Sequence, residues 1–128
     1  MSATPPVFVV DDEETVRSAL ARLLRAIGFA AEPFESAEAF LSAYPHGAPG
    51  CLLLDIRMPG MSGLDLLDEL KRRRIELPAI VMTGHVDDEA MQRLAAREHI
   101  AFLEKPFTLE QLKAALTNWT AAPPSTPE

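Results

Sequence analysis

The chain has 128 residues, a length that suits one globular domain with one hydrophobic core. Its formal net charge of −7 argues against direct nucleic acid binding by this domain, because phosphates repel carboxylates. No apolar run approaches the roughly 20 residues that a membrane-spanning helix needs, and the N-terminus lacks a secretory signal pattern. We therefore expect a cytoplasmic protein that does not contact a membrane.

Five short apolar runs are predicted strands. They are apolar at consecutive positions, which is typical of strands buried on both faces of a parallel sheet. The runs are Val7–Val10, Phe29–Phe34, Cys51–Leu54, Ala79–Met82 and Ala101–Leu103. The second run contains Glu32 and Pro33, which favours a position at the edge of the sheet. The lone cysteine, Cys51, opens the third run and is expected to be a small core residue.

Amphipathic helices are predicted after the first two runs. The first helix carries apolar residues at helical spacing: Val16, Leu20, Leu23, Leu24 and Ile27. Gly28 follows this stripe as a C-terminal stop signal. Ser36 can cap a short second helix that carries Ala37, Phe40 and Leu41.

Start signals also mark three later helices. Ser62 with Asp65 and Thr108 with Gln111 form capping boxes for the third and fifth helices. The fifth helix presents an apolar stripe: Leu109, Leu112, Leu116 and Trp119. Asp87 begins a fourth helix, whose apolar face is thin: Met91, Leu94 and Ala95.

Fivefold strand–helix alternation predicts a parallel α/β sheet with right-handed crossovers and helices on both faces. This is a doubly wound three-layer sandwich, in which the working site lies beyond the carboxyl ends of the strands. We assign residues 1–120 to this domain. Residues 121–128 are Pro-rich and lack periodicity, so we expect a disordered tail or the start of a linker.

Polar residues follow four of the predicted strands. Asp11 and Asp12 follow the first strand, Asp55 the third, Thr83 the fourth and Lys105 the fifth. Parallel strands bring all five residues to the same edge of the sheet. Clustered carboxylates raise one another's pKa or bind a cation, and carboxylate and carbonyl oxygens suit Mg²⁺. With a lysine and a hydroxyl nearby, the site could hold a phosphoryl group, and Asp55 could be its nucleophilic acceptor.

Several motifs together resemble the receiver domains of bacterial two-component response regulators. The resemblance covers about residues 6–119 and is closest to the FixJ-type branch. Its motifs are Val9–Glu13, Leu54–Gly63, Val81–Gly84 and Glu104–Phe107, with Ser36–Leu41 and Thr83–His85 marking the branch. The resemblance implies a flavodoxin-like (βα)5 fold with the strand order 2-1-3-4-5.

The resemblance also implies a role for each residue of the acidic site. Asp55 would be the phospho-acceptor, phosphorylated by a sensor histidine kinase. Asp12 would bind Mg²⁺ directly, Asp11 largely through water, and the backbone carbonyl of Arg57 would complete the protein ligands, with Mn²⁺ as a substitute metal. Lys105 would pair with the acceptor and then with the phosphoryl group.

A second set of implied residues forms the conformational switch. Thr83 would move inward to hydrogen-bond a phosphoryl oxygen, Gly84 would offer its backbone N–H, and Phe102 would rotate inward with Thr83. The Lys105-Pro106 peptide bond is expected to be cis.

The resemblance further implies an output. The face of the fourth helix, fifth strand and fifth helix would bind partners, including a second copy of the phosphorylated chain. Transcription would be regulated through a DNA-binding domain that this chain does not contain, and a stand-alone receiver that acts by protein–protein contact is the alternative. The segment Arg97–His99 departs from the small Ala-Gly-Ala stretch of many receivers, which leaves the shape of that loop open.

Other functional classes fit the residues less well. A haloacid dehalogenase-type phosphatase needs Asp-x-Asp after its first strand, whereas Asp11 and Asp12 are adjacent. A flavodoxin needs a phosphate loop where the acidic run 11–14 would repel phosphate. A degenerate receiver would lack one of the five site residues, and none is lacking. The acidic run could also simply complement the N-terminus of the first helix.

Overall fold

The computed structural model describes residues 5–84, 92 and 100–121. Within these residues, five parallel strands form one sheet in the order β2-β1-β3-β4-β5. The strands are β1 (Val7–Val10), β2 (Ala31–Phe34), β3 (Cys51–Asp55), β4 (Ala79–Thr83) and β5 (Ile100–Glu104). The predicted fold class and strand order are therefore confirmed.

Four helices are described. They are α1 (Glu14–Ala26), α2 (Ala37–Ala43), α3 (Gly63–Arg72) and α4 (Leu109–Ala121). The last of these, α4, corresponds to the fifth predicted helix. The predicted helix from Asp87, with its face of Met91, Leu94 and Ala95, lies outside the described residues, as does the segment 97–99. Of the helices in the described ranges, none is long and apolar enough to cross a membrane.

The predicted start signals act as expected. The Ser36 hydroxyl accepts a hydrogen bond from the Ala39 N–H at 3.0 Å, and this bond caps α2. Ser62 and Asp65 exchange two side-chain-to-backbone hydrogen bonds of 3.1 Å each at the start of α3. Thr108 and Gln111 make the equivalent pair of bonds ahead of α4. These caps satisfy backbone N–H groups that a helix N-terminus leaves unpaired.

The second strand begins two residues later than the apolar run suggested. Gly28 has φ +101°, and its N–H donates to the Arg25 carbonyl. The Phe29 N–H donates to the Leu24 carbonyl at 2.9 Å. The Phe29 N–H is therefore already bonded in the C-terminal closure of α1, and the pairing of β2 with β1 begins only at Ala31.

Three other strands are longer than predicted. Asp55 and Thr83 are the last residues of β3 and β4 rather than the first residues after them, and β5 gains one residue at each end. In the sheet, Asp55 pairs with Met82 and Thr83 pairs with Glu104. The ladder of sheet hydrogen bonds therefore reaches the polar residues and fixes their backbone.

The buried strand residues divide between two hydrophobic clusters, one on each face of the sheet. Phe8, Val10, Leu52 and Leu54 pack with α2 and α3 residues, including Phe40 and Leu66. The alternate residues Val7, Val9, Cys51 and Leu53 pack with α1 and α4 residues, including Leu24 and Leu112. Cys51 is fully buried, as predicted, and burial raises the pKa of its thiol to about 12.

Two leucines of the predicted apolar stripes are largely exposed. Leu23 is 39% exposed and Leu109 is 40% exposed. The buried face of α1 consists of Leu20, Ala21 and Leu24. Leu23 lies beside this narrower face, and Leu109 is the first residue of α4, so the predicted apolar stripes are wider than the buried faces of these helices.

Candidate functional site

Three carboxylates meet at the carboxyl edge of the sheet. Asp11 and Asp12 follow β1 directly, and Asp55 ends the neighbouring strand β3. One carboxylate oxygen from each residue lies within 4.8 Å of those of the other two. Asp11 and Asp55 are buried, whereas Asp12 is exposed. The predicted convergence of these acids is therefore present in the structure.

Asp11 is fully buried. Its Oδ1 accepts a hydrogen bond from the Glu13 N–H at 2.9 Å, but its Oδ2 has no hydrogen-bond donor among the described residues. The Lys105 ammonium lies 3.9 Å from Oδ2, at ion-pair rather than hydrogen-bond distance. Desolvation is the largest cause of a raised pKa for Asp11, and the charges of Asp55 and Asp12 add to it.

Asp55 is held by one contact on each of its two oxygens. Oδ1 accepts a hydrogen bond from the Arg57 N–H at 3.1 Å, and Oδ2 accepts one from the Lys105 ammonium at 3.2 Å. Lys105 follows β5, so it reaches Asp55 across β4. The carboxylate is oriented by a fixed backbone donor and lies beside a positive charge, which suits an attacking group in phosphoryl transfer.

The residues at this edge fit a hard divalent cation. Three carboxylates supply oxygen ligands, and the buried Oδ2 of Asp11 is an acceptor without a donor. A buried carboxylate oxygen is costly without a partner, and an oxygen-binding cation would supply one. Such a set of oxygen ligands suits Mg²⁺, Mn²⁺ or Ca²⁺.

The predicted switch residues occupy different environments. Thr83 is buried at the end of β4, and its carbonyl accepts a hydrogen bond from the Lys105 N–H at 2.7 Å. Gly84 is exposed, and a Cβ built there would meet no atom of the described residues within 4 Å. Phe102 is half-buried and packs against the α2–α3 side of the core. The Lys105-Pro106 peptide bond is cis.

Two contacts beside the site had not been predicted. The Arg17 guanidinium on α1 donates to the backbone carbonyl of Asp11 at 2.8 Å. The Glu38 carboxylate on α2 accepts from the Met61 N–H at 3.2 Å. Glu38 lies inside the branch motif Ser36–Leu41, but its partner is 23 residues away, so spacing could not have revealed the contact. Nothing in the sequence indicated the Arg17 contact except that Arg17 lies about one helical turn after the acidic run 11–14.

Comparisons with known proteins agree with this geometry. The family described as "Response regulator receiver domain" matches residues 7–117. The transcriptional regulatory protein FixJ of Azorhizobium caulinodans is 46% identical over 123 residues, covering 91% of this chain and 55% of the relative. The response regulator protein TodT of Pseudomonas putida is 39% identical over 110 residues, covering 86% of this chain and 48% of the relative.

A solved structure of the same kind is also similar. The crystal structure of FixJ-N superposes with a TM-score of 0.81 at 42% identity and covers 91% of this chain and 93% of that one. The chain spans about half the length of the curated relatives FixJ and TodT. Because a family pattern and relatives well above 30% identity both cover most of the sequence, this chain belongs to the response regulator receiver domain family.

Proposed function

We propose that Asp55 accepts a phosphoryl group from the phosphohistidine of a sensor histidine kinase. The observation that supports this most directly is the contact of 3.2 Å between Asp55 Oδ2 and the Lys105 ammonium, within a cluster of three carboxylates. In the transfer, an oxygen of Asp55 forms a bond to phosphorus while the bond from phosphorus to the histidine ring breaks. The ring nitrogen keeps the electron pair of that bond.

We propose that Asp11, Asp12, Asp55 and the backbone carbonyl of Arg57 hold Mg²⁺, or Mn²⁺ in its place. When bound, the cation supplies charge neutralisation for the carboxylates and for the phosphoryl oxygens. Lys105 would contribute a second positive charge, because its ammonium lies 3.2 Å from Asp55 Oδ2 and 3.9 Å from Asp11 Oδ2. The Arg57 N–H keeps the Asp55 carboxylate oriented, which lowers the entropy lost on the way to transfer.

We propose that phosphorylation is read out by Thr83, Gly84 and Phe102. The Thr83 hydroxyl and the Gly84 N–H would bind phosphoryl oxygens, and Phe102 would move with Thr83. The position of Thr83 at the end of β4, beside the strand of Asp55, supports this. No atom of the described residues lies within 4 Å of a Cβ built on Gly84, so they would leave room there for a phosphodonor. The added charge would bias a two-state equilibrium of the domain.

We propose that residues 1–120 form the receiver and that residues 121–128 begin a linker. The receiver would then regulate transcription through a DNA-binding domain, as the names of the FixJ relatives suggest. A receiver that works alone through protein–protein contact stays the alternative, and the gene sequence beyond codon 128 distinguishes the two. In either case the domain would catalyse only its own phosphorylation and dephosphorylation.

The expected dimer face includes the predicted fourth helix, which lies outside the described residues. Dimerisation of the phosphorylated chain therefore stays a prediction. Light scattering before and after phosphorylation tests it. The cytoplasmic location expected from the sequence stays a prediction as well.

The acceptor is tested by incubating the protein with acetyl phosphate and Mg²⁺ and measuring its intact mass. We expect one added phosphoryl group, none in the presence of a chelator, and none in Asp55→Asn. Asp68→Asn is the matched control, because it makes the same chemical change on α3, away from the acid cluster, and should be phosphorylated normally. If Asp55→Asn gains the phosphoryl group as readily as the parent, the proposed function is wrong.

A further inference from the structure

The loop between β3 and α3, residues 56–62, is held from outside the site by α2. We call residues 56–62 the acceptor loop, because they follow Asp55 directly and contain Arg57, whose N–H holds the Asp55 carboxylate. Glu38 lies in the first turn of α2 and accepts a hydrogen bond from the Met61 N–H at the far end of this loop. The contact joins two crossover segments that are separated by β3.

The backbone of the acceptor loop is shaped to receive this carboxylate. Gly60 has φ +73°, in the left-handed region that favours glycine. A Cβ built on Gly60 would lie 3.0 Å from Glu38 Oε2. The missing side chain at this position therefore allows both the turn and the close approach of Glu38. Two separate features, a hydrogen bond and a close approach at a left-handed glycine, thus indicate a specific contact.

Backbone hydrogen bonds also fix both ends of the acceptor loop. The Gly63 N–H donates to the Ile56 carbonyl at 3.0 Å, and the Ile56 N–H donates to the Met82 carbonyl at 3.2 Å. These bonds fix where the loop leaves β3 and where it enters α3. Between those points, Glu38 supplies a bond from outside the loop. Losing it would let residues 58–61 sample more conformations, and the Arg57 carbonyl, which directly precedes them, would be less firmly oriented.

We propose that Glu38 is a positioning residue for phosphoryl transfer, which acts by holding the acceptor loop so that Arg57 faces the acid cluster. This inference rests on the proposed function, because it assigns Arg57 to the metal and acceptor site. Mg²⁺ needs near-ideal ligand geometry, so a loop that supplies one ligand binds it more tightly when it is already ordered, because less conformational entropy is lost on binding. Residues that orient ligands commonly change metal affinity by about tenfold or more when replaced.

Three variants separate this role from a general effect of charge. Glu38→Ala removes the acceptor, Glu38→Gln keeps an oxygen acceptor without the charge, and Glu35→Ala removes the same charge just before α2. Two quantities are measured by NMR on the metal-free chain and during Mg²⁺ titration. These are the hydrogen-exchange rate of the Met61 amide and the Mg²⁺ affinity, with thermal unfolding recorded alongside.

We expect Met61 exchange in Glu38→Ala to rise about three- to tenfold, as for the loss of one hydrogen bond. We expect Mg²⁺ affinity to fall about tenfold with little change in melting temperature. Glu38→Gln should recover most of both quantities, and Glu35→Ala should match the parent. If Glu38→Ala and Glu35→Ala bind Mg²⁺ with equal affinity, the role of Glu38 is wrong, but the proposed function is unaffected. If the parent chain binds no Mg²⁺, both the role of Glu38 and the proposed function are wrong.

Discussion

The residues inside the central strands β1 and β3 and the residues at their carboxyl ends are both buried, but burial affects the free energy of folding differently for the two groups. Leu54 is fully buried in the core, and the next residue, Asp55, is 7% exposed. Val10 and Asp11, one strand away, are both fully buried. The apolar residues gain free energy from burial, whereas the carboxylates lose hydration and repel one another.

The two regions therefore have opposite effects on the stability of the domain. The hydrophobic interior and the sheet hydrogen bonds hold a backbone that carries unfavourable charges at one edge. The buried Oδ2 of Asp11, without a hydrogen-bond donor among the described residues, is the clearest sign of that strain. The acid cluster is therefore unfavourable by itself, and the packing of the rest of the fold must offset its cost.

The largest expected effect tests the interior of the sheet. Leu53→Ala removes a fully buried side chain from the central strand β3 and should lower the free energy of unfolding by about 2–5 kcal/mol. Leu23→Ala is the control, because that leucine is 39% exposed on α1 and should lose less than about 1 kcal/mol. Denaturant titration measures both. Equal losses of unfolding free energy in the two variants would contradict the burial of Leu53 and the exposure of Leu23.

The next effect tests the junction between the interior and the edge. A Cβ on Gly63 would lie 2.6 Å from the Asp55 carbonyl oxygen and 2.8 Å from the Ile56 Cα. Both atoms belong to the backbone of the site, so Gly63→Ala should destabilise the fold by about 1–3 kcal/mol and slow phosphorylation of Asp55. Gly84→Ala has open space and should change stability much less. Denaturation and acetyl phosphate labelling measure these effects.

A third effect, opposite in sign, tests the edge itself. Asp11→Asn keeps the oxygen that accepts from Glu13 and removes the buried charge, so the metal-free chain should gain on the order of 1 kcal/mol at neutral pH. Mg²⁺ should stabilise the parent more than the variant. Denaturation with and without Mg²⁺ measures this.

The same variant has a defined pH dependence. The pKa of Asp11 is raised in the folded chain above its ordinary value of 3.8, so the unfolded chain ionises first as the pH rises. The parent therefore loses stability from about that value upward until the folded pKa is passed. The gain from Asp11→Asn should grow over this range and vanish below it. A gain that is independent of pH would exclude ionisation of Asp11 as the cause.

The smallest effect tests strain away from the site. Arg74 follows α3 with φ +61°, and the adjoining Ile75 N–H donates to the Leu70 carbonyl. Glycine is preferred in this left-handed conformation, so Arg74→Gly should stabilise the chain by about 0.5–1 kcal/mol without changing phosphorylation. Arg74→Ala keeps a Cβ and should bring no comparable gain. Thermal unfolding measures both variants.

Local signals in the sequence predicted much of the fold. The caps at Ser36, Ser62 and Thr108 involve residues three positions apart, and all three form as predicted. Apolar runs located all five strands of the described sheet. The reason is clearest for β1, β3 and β4, which are buried at every position, whereas β2 and β5 are partly exposed. The first predicted residue of β2 was wrong, because Phe29 completes the closure of α1. That competition between a helix end and a strand start is decided by hydrogen bonds that an apolar run does not reveal.

The convergence of the acids was also predicted, because parallel strands bring Asp11, Asp12 and Asp55 to one edge and the family resemblance implied the order that makes β1 and β3 neighbours. Only the tertiary structure decided the details of their surroundings. The unpartnered oxygen of Asp11, the exposure of Leu23 and the contact from Glu38 to Met61 depend on which helices pack where. Residue spacing along one chain reports contacts within a helix or strand, whereas these features arise between segments far apart in sequence.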